Sequence, residues 1–142
     1  MTTGWFYWAL LSAIFAALTA IFAKLGIKNI DSDFATLIRT IIIFFVLSAF
    51  VFFTKKWTNP FTIQGKTWLF LLLSGLATGA SWVCYFRALK IGEASSVAPV
   101  DKLSVILVAI FAVLFLGERP GLKDWLGIGL VGAGVVVLAL KK

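Results

Sequence analysis

Apolar residues in this chain come in long blocks rather than in alternation. Five stretches, Gly4–Ala23, Phe34–Phe53, Thr67–Phe86, Val97–Leu116 and Leu122–Leu140, are almost free of charge. Each has about the 20 residues that an α-helix needs to cross a bilayer. Runs such as Ile41–Val46, Leu69–Leu73 and Val105–Leu116 offer no polar face, and a helix of a soluble bundle needs one toward water. The pattern predicts an all-α integral membrane protein, a single domain over residues 1–142 with five transmembrane helices. An odd number of spans puts the two ends of the chain on opposite sides of the membrane. A second copy joined head to tail would enter upside down, which is the construction of inverted-repeat transporters.

The connections are short and rich in turn residues. Asp31, Ser32 and Asp33 suit the N-cap and first turn of the second helix. Asn59-Pro60 and Gly65 punctuate the longest loop. Gly92 suits the end of the third helix, and Ser95 or Ser96 the cap of the fourth. Pro99 then falls in the fourth helix's first turn, where it is tolerated. Gly117, Pro120 and Gly121 make the last turn. Trp5, Trp8, Trp57, Trp68 and Trp125 lie near span ends, as amphipathic rings at a membrane interface do.

Composition agrees with this picture. Hydrophobic residues make up 61% of the 142 and charged ones 13%, against about a quarter charged in soluble domains. The first span has no Lys or Arg ahead of it, exceeds the ~7–15 residues of a signal-peptide core and is followed by no Ala-x-Ala site, so it reads as a retained helix. Cys84 is the single cysteine and there is no histidine, which excludes an intrachain disulfide and zinc-type ligand spacing. No metal or cofactor is expected. The net charge of +7 resides mostly at span ends. That placement fits the lipid bilayer and its anionic headgroups, and nucleic acid is not an expected partner.

Charge leaves the orientation nearly undecided. The side of the N-terminus carries Lys55, Lys56, Lys66, Arg119 and Lys123, and the other side carries Lys24, Lys28, Arg87, Lys90, Lys141 and Lys142. Counting Arg39 and Lys102 with the second side weakly favours a cytoplasmic C-terminus. So even a balance suits a protein that inserts both ways round and forms an antiparallel homodimer.

Two sets of polar residues lie inside the spans. Ser74, Thr78, Ser81 and Tyr85 share one face of the third helix, with Gly75 and Gly79 beside them and Trp82 following. Small residues and hydroxyls serve tight helix packing in lipid; the same face also suits the wall of a substrate cavity, with Trp82 in it or in the interfacial belt. The second set is Arg39, Asp101 and Lys102. Asp101 is the fifth residue of its span and Arg39 the sixth of its own, both counted from the same side, hence roughly 6–8 Å deep. Equal depth allows an Asp101–Arg39 pair. A charge at mid-bilayer costs about 3 kcal/mol or more, which favours pairing or a wet cavity. At this depth, macrodipole stabilisation of Asp101 and snorkelling of Arg39 and Lys102 are the alternative. Asp101 otherwise binds protons or cationic substrate groups. In the fifth helix, Gly127 and Gly134 are seven residues apart on one face, a seam for close helix pairing within the protomer or, the reading adopted, between protomers.

The run Ala80–Ser104, ASWVCYFRALKIGEASSVAPVDKLS, resembles the EamA repeat of the drug/metabolite transporter superfamily, as does Phe115-Leu-Gly-Glu118 ahead of a glycine-rich last helix. Tyr85, Ala88, Leu89, Ala98, Pro99, Gly117 and Glu118 carry the pattern. The resemblance implies a transporter, often an exporter of amino acids or other small metabolites, in the prokaryotic inner or plasma membrane. Typical members have ten helices as two inverted repeats. One repeat implies a homodimer or a paralogous five-helix partner, and it implies a structural role for Glu118. The last helix is also similar to the dimerising helix of small multidrug resistance transporters. Their function rests on a glutamate in the first helix, and here the first span has no acidic residue, only the hydroxyls of Tyr7, Ser12 and Thr19.

The expected function is secondary transport of small polar or amphipathic metabolites by alternating access, binding them along the Ser74–Tyr85 stripe and at the Arg39/Asp101 layer. The chain has no nucleotide-binding G-x-x-x-x-G-K-[ST] run, so a gradient or the substrate itself must drive it, with Asp101 the best-placed proton carrier. A non-transporting membrane subunit and a small-multidrug-resistance-like cation/proton antiporter are the alternatives. An enzyme is not expected: nothing in the sequence supports nucleophilic or metal chemistry.

Overall fold

The computed structural model describes residues 3–140 and is all-helical over them. The helices are α1 (Thr3–Gly26), α2 (Ser32–Phe53), α3 (Gly65–Ile91), α4 (Ala94–Asp101), α5 (Ser104–Phe111) and α6 (Leu122–Ala139). Taking α4, α5 and the π-helical turns Ala112–Leu116 together, five segments are long and apolar enough to span a membrane: Gly4–Gly26, Ser32–Phe53, Gly65–Ile91, Ala94–Leu116 and Leu122–Ala139. Most large apolar side chains stay exposed, among them Trp68 to Leu73 and Leu76 of α3. Lipid tails are as apolar as leucine, so nothing drives these side chains inward.

The chain forms two compact units, Phe22–Lys90 and the remainder. In Phe22–Lys90 the ends of the helices are well capped. Asp31 is extended (φ −63°, ψ 138°) and its carboxylate accepts from the N–H groups of Asp33 and Phe34 at 2.9 and 3.1 Å. Two of the four orphan amides of α2 are thereby satisfied. Thr36, buried, returns its hydroxyl to the Ser32 carbonyl at 2.8 Å, and Thr40 does the same to Thr36 at 2.7 Å. Such back-bonding supplies each hydroxyl with an acceptor where lipid offers none. Between α2 and α3, Asn59 accepts from the Phe61 N–H at 3.0 Å. The Trp68 indole donates to the Pro60 carbonyl at 3.0 Å, so this belt residue also fastens the loop to α3. Ile27, Ala35, Phe86 and Leu89 form the buried apolar centre of the unit.

The other unit holds most of α1 together with α4, α5 and α6, and here two expectations need correction. The fourth helix starts earlier than its apolar run: Glu93, not Ser95 or Ser96, is its N-cap, in extended geometry (φ −76°, ψ 138°), with its carbonyl accepting from Ser96 and Val97. Pro99 is thus the sixth residue of α4 rather than part of its first turn. In a helix interior proline lacks an N–H and its ring crowds the carbonyl four residues back. The span is accordingly not one continuous helix. At Lys102–Leu103 the backbone shifts to i→i−3 bonds (Lys102 to Pro99, Leu103 to Val100, Val105 to Lys102, each 3.0 Å) before α5 resumes. At its far end the π-helical turns close on Gly117, whose left-handed backbone (φ 68°) suits only glycine well. Asp124 accepts from the Gly121 N–H at 2.8 Å and caps the start of α6.

α4 and α5 pack on α6. Gly132 is buried, and Ile106 of α5 occupies the place a Cβ would take there. Ala109, Ala112 and Val135 complete this small core.

Candidate functional site

α3 places an aromatic pair, Trp82 and Phe86, one turn apart on the face beside the polar stripe. Arg39 of α2 meets both. Its guanidinium carbon lies 4.6 Å from the Trp82 ring centroid and 5.0 Å from that of Phe86. Phe86 is 2% exposed, while Trp82, Tyr85 and Arg39 are half-buried. A cation over an aromatic face gains about 0.5–2 kcal/mol. Two such rings help to offset the cost of an arginine inside a membrane span, which is about 3 kcal/mol at mid-bilayer on a translocon-based scale. Arg39 is therefore held without a carboxylate. Both carboxylates of this unit are otherwise engaged: Asp31 caps α2, and Asp33 binds Arg87 through two hydrogen bonds, 2.9 Å from Nε and 2.6 Å from Nη2.

That ion pair belongs to a polar clamp at one end of the unit. Lys24, in the last turn of α1, donates to the Leu89 carbonyl near the end of α3 at 2.5 Å. Lys90, in the last turn of α3, donates to the carbonyls of Ile27 and Ile30 just past α1, at 2.5 and 2.6 Å. Each helix thus lends a lysine to the carbonyls at the other's C-terminal end, where the macrodipole favours positive charge. Sequence reasoning did not find this clamp, nor Phe86 as a ring for Arg39. The signal for it in the sequence is the lysine in the last turn of each of α1 and α3, a placement that membrane anchoring explains equally well.

The other predicted residues are distributed as follows. Ser74, Thr78 and Ser81 are exposed, and Thr78 returns its hydroxyl to the Ser74 carbonyl at 2.8 Å. Gly75 and Gly79 have nothing within 4 Å of where a Cβ would stand, so neither is used for packing within the described chain. Asp101 and Lys102, both exposed, sit at the break between α4 and α5. Asp101 is the eighth residue of α4, as Arg39 is of α2; the two belong to different units. Gly127 and Gly134 are open as well, in contrast to Gly132. Among the described residues no three His, Cys, Asp or Glu side chains gather to hold a metal.

Residues 3–140 match the EamA-like transporter family. The chain is 61% identical over 140 residues to an uncharacterized transporter in the cobO 3′ region of a Sinorhizobium species, covering 99% of both. It is 25% identical to the uncharacterized transporter YxxF of Bacillus subtilis, covering 95% of this chain and 42% of that protein. A segment of 87 residues is 24% identical to the probable 4-amino-4-deoxy-L-arabinose-phosphoundecaprenol flippase subunit ArnE of Proteus mirabilis, covering 61% of this chain and 77% of that one. No solved structure matches. With a family match over nearly its whole length, five membrane-spanning segments and a close relative of equal extent, this chain belongs to the EamA-like transporter family and is an integral membrane transporter.

Proposed function

We propose that the protein is a secondary transporter that exports small polar or amphipathic metabolites, working by alternating access as an antiparallel pair in the prokaryotic inner membrane. The observation that carries this reading is the match of residues 3–140, with their five apolar spans, to a transporter family. The chain aligns with 42% of YxxF, which leaves that protein length for a second repeat of this size. A single repeat needs a partner to complete the same machine, and the near balance of flanking charge suits a copy inserted the other way round. The word "subunit" in the name of ArnE supports the variant in which the partner is a paralogous five-helix protein.

Substrate would meet Arg39, Trp82 and Tyr85 and the hydroxyls of Ser74, Thr78 and Ser81. Asp101 would carry the coupling proton, with Lys102 beside it at the break in the fourth span. Interrupted helices at mid-membrane are a recurring feature of transporter binding sites, because freed backbone groups can face a cavity there. Thermal-shift screening of the purified protein against metabolite pools identifies a ligand, and its efflux from proteoliposomes under an imposed proton gradient tests the mechanism. Gradient-driven flux in the native protein, lost in Asp101→Asn with insertion unchanged, is the expected result. Flux that survives in Asp101→Asn removes the coupling role, and a protein that moves no ligand it binds is a non-transporting subunit.

A further inference from the structure

Arg39 is held by aromatic faces and has no carboxylate from its own unit, so its positive charge remains uncompensated there. Aromatic rings attract a cation but accept no in-plane hydrogen bond from it, and a guanidinium presents its donors as a planar fork that matches two oxygens of a carboxylate or phosphate. Gly79 lies three residues before Trp82 on the same helix face, and nothing stands within 4 Å of its missing Cβ. Ser81, exposed, immediately precedes Trp82 on the same helix.

We infer that Arg39, set between Trp82 and Phe86, is an oxyanion-binding site that takes the carboxylate or phosphate group of the transported compound. This deepens the transport reading and rests on it for what is moved, though not for what is bound. In a low-dielectric site an oxyanion gains more from a guanidinium than in water, and the two rings keep that guanidinium in place when the site is empty. A lysine would supply the charge without the planar fork. The same oxyanion chemistry is offered by soluble metabolites and by anionic lipid headgroups.

Phenylglyoxal footprinting of the purified native protein, in uncharged dodecyl maltoside micelles, tests the site without a variant. The probes are inorganic phosphate, acetate, methylammonium chloride at matched ionic strength, and added phosphatidylglycerol. Phosphate or acetate should slow modification of Arg39 by about tenfold at ten times its Kd, since protection follows 1 + [L]/Kd. Modification of Arg119, which lies in the loop before α6, should be unchanged. Protection by soluble anions identifies a metabolite site, and protection by phosphatidylglycerol alone identifies a headgroup site. Equal protection by methylammonium, or protection by none of the probes, overturns the inference. If Arg39 reacts too slowly to follow, the rise in melting temperature with phosphate or acetate replaces footprinting. That rise should be lost in Arg39→Gln and Arg39→Lys and kept in Arg119→Gln, and its persistence in Arg39→Gln overturns the inference. Protection without solute flux would leave the site standing and remove the transport reading; flux with Arg39 unprotected would do the reverse.

Discussion

The two units of this protein are stabilised by opposite means. Phe22–Lys90 is tied by directional polar bonds: Lys24 and Lys90 satisfy carbonyls at helix ends, Asp33 pairs with Arg87, and Asp31 caps α2. The unit of α4, α5 and α6 has no ion pair among its described residues. It is assembled by shape, with Ile106 set into the place left by Gly132, and its fourth span is broken at Lys102–Leu103. The difference shows two ways of building where burying apolar surface gives little drive. Charges at helix ends fix one arrangement, while small residues and an interrupted helix allow close approach without prescribing it.

This contrast can be broken from either side. The largest effect should come from Phe86→Ala, which removes a fully buried ring and half of the support for Arg39. Reversible unfolding in micelles should show a loss of about 3 kcal/mol, whereas Phe115→Ala, at a side chain 79% exposed, should change little. Next is Gly132→Leu, which must displace Ile106 and should cost about 2 kcal/mol by overpacking. Combining it with Ile106→Ala should recover most of that loss, and a double-mutant cycle measures the coupling. Gly134→Leu should be nearly neutral in a monomeric state, because nothing occupies the space beside it. The smallest of the destabilising effects should be Lys90→Met, which removes the donor to the carbonyls of Ile27, Lys28 and Ile30 at about 1.5 kcal/mol; hydrogen exchange at the α1 end should rise while exchange in α6 stays unchanged.

Much of the architecture was readable from hydrophobic length alone. Lipid forces every backbone group to be satisfied within its own helix, so a continuous apolar block of some 20 residues has few other outcomes. The cap at Asp31 and the stop at Gly117 were equally legible, since each depends on a local side chain or on one backbone angle. The break at Lys102–Leu103 was missed for a specific reason. Placing the helix start at the beginning of the apolar run put Pro99 in the first turn, whereas the helix begins at Ala94, within a polar stretch that carries no hydrophobic signal. The partners of Arg39 were not readable, because which ring of α3 faces α2 is fixed by packing. Gly127, Gly132 and Gly134 look alike in sequence, and only the structure separates the glycine used within the chain from the two left open.

Those two open glycines offer the most direct test of the proposal that the protein works as an antiparallel pair. With Cys84 replaced by serine, Gly127→Cys and Gly134→Cys chains are co-expressed and oxidised in the membrane. The two positions are about 10 Å apart along α6, and a disulfide requires Cα atoms within about 7 Å, so the pattern of cross-links reports the direction of the partner. An antiparallel pair predicts the mixed link between Cys at 127 of one copy and Cys at 134 of the other, with little linkage between identical positions. Links between identical positions, or none between any copies, would contradict it.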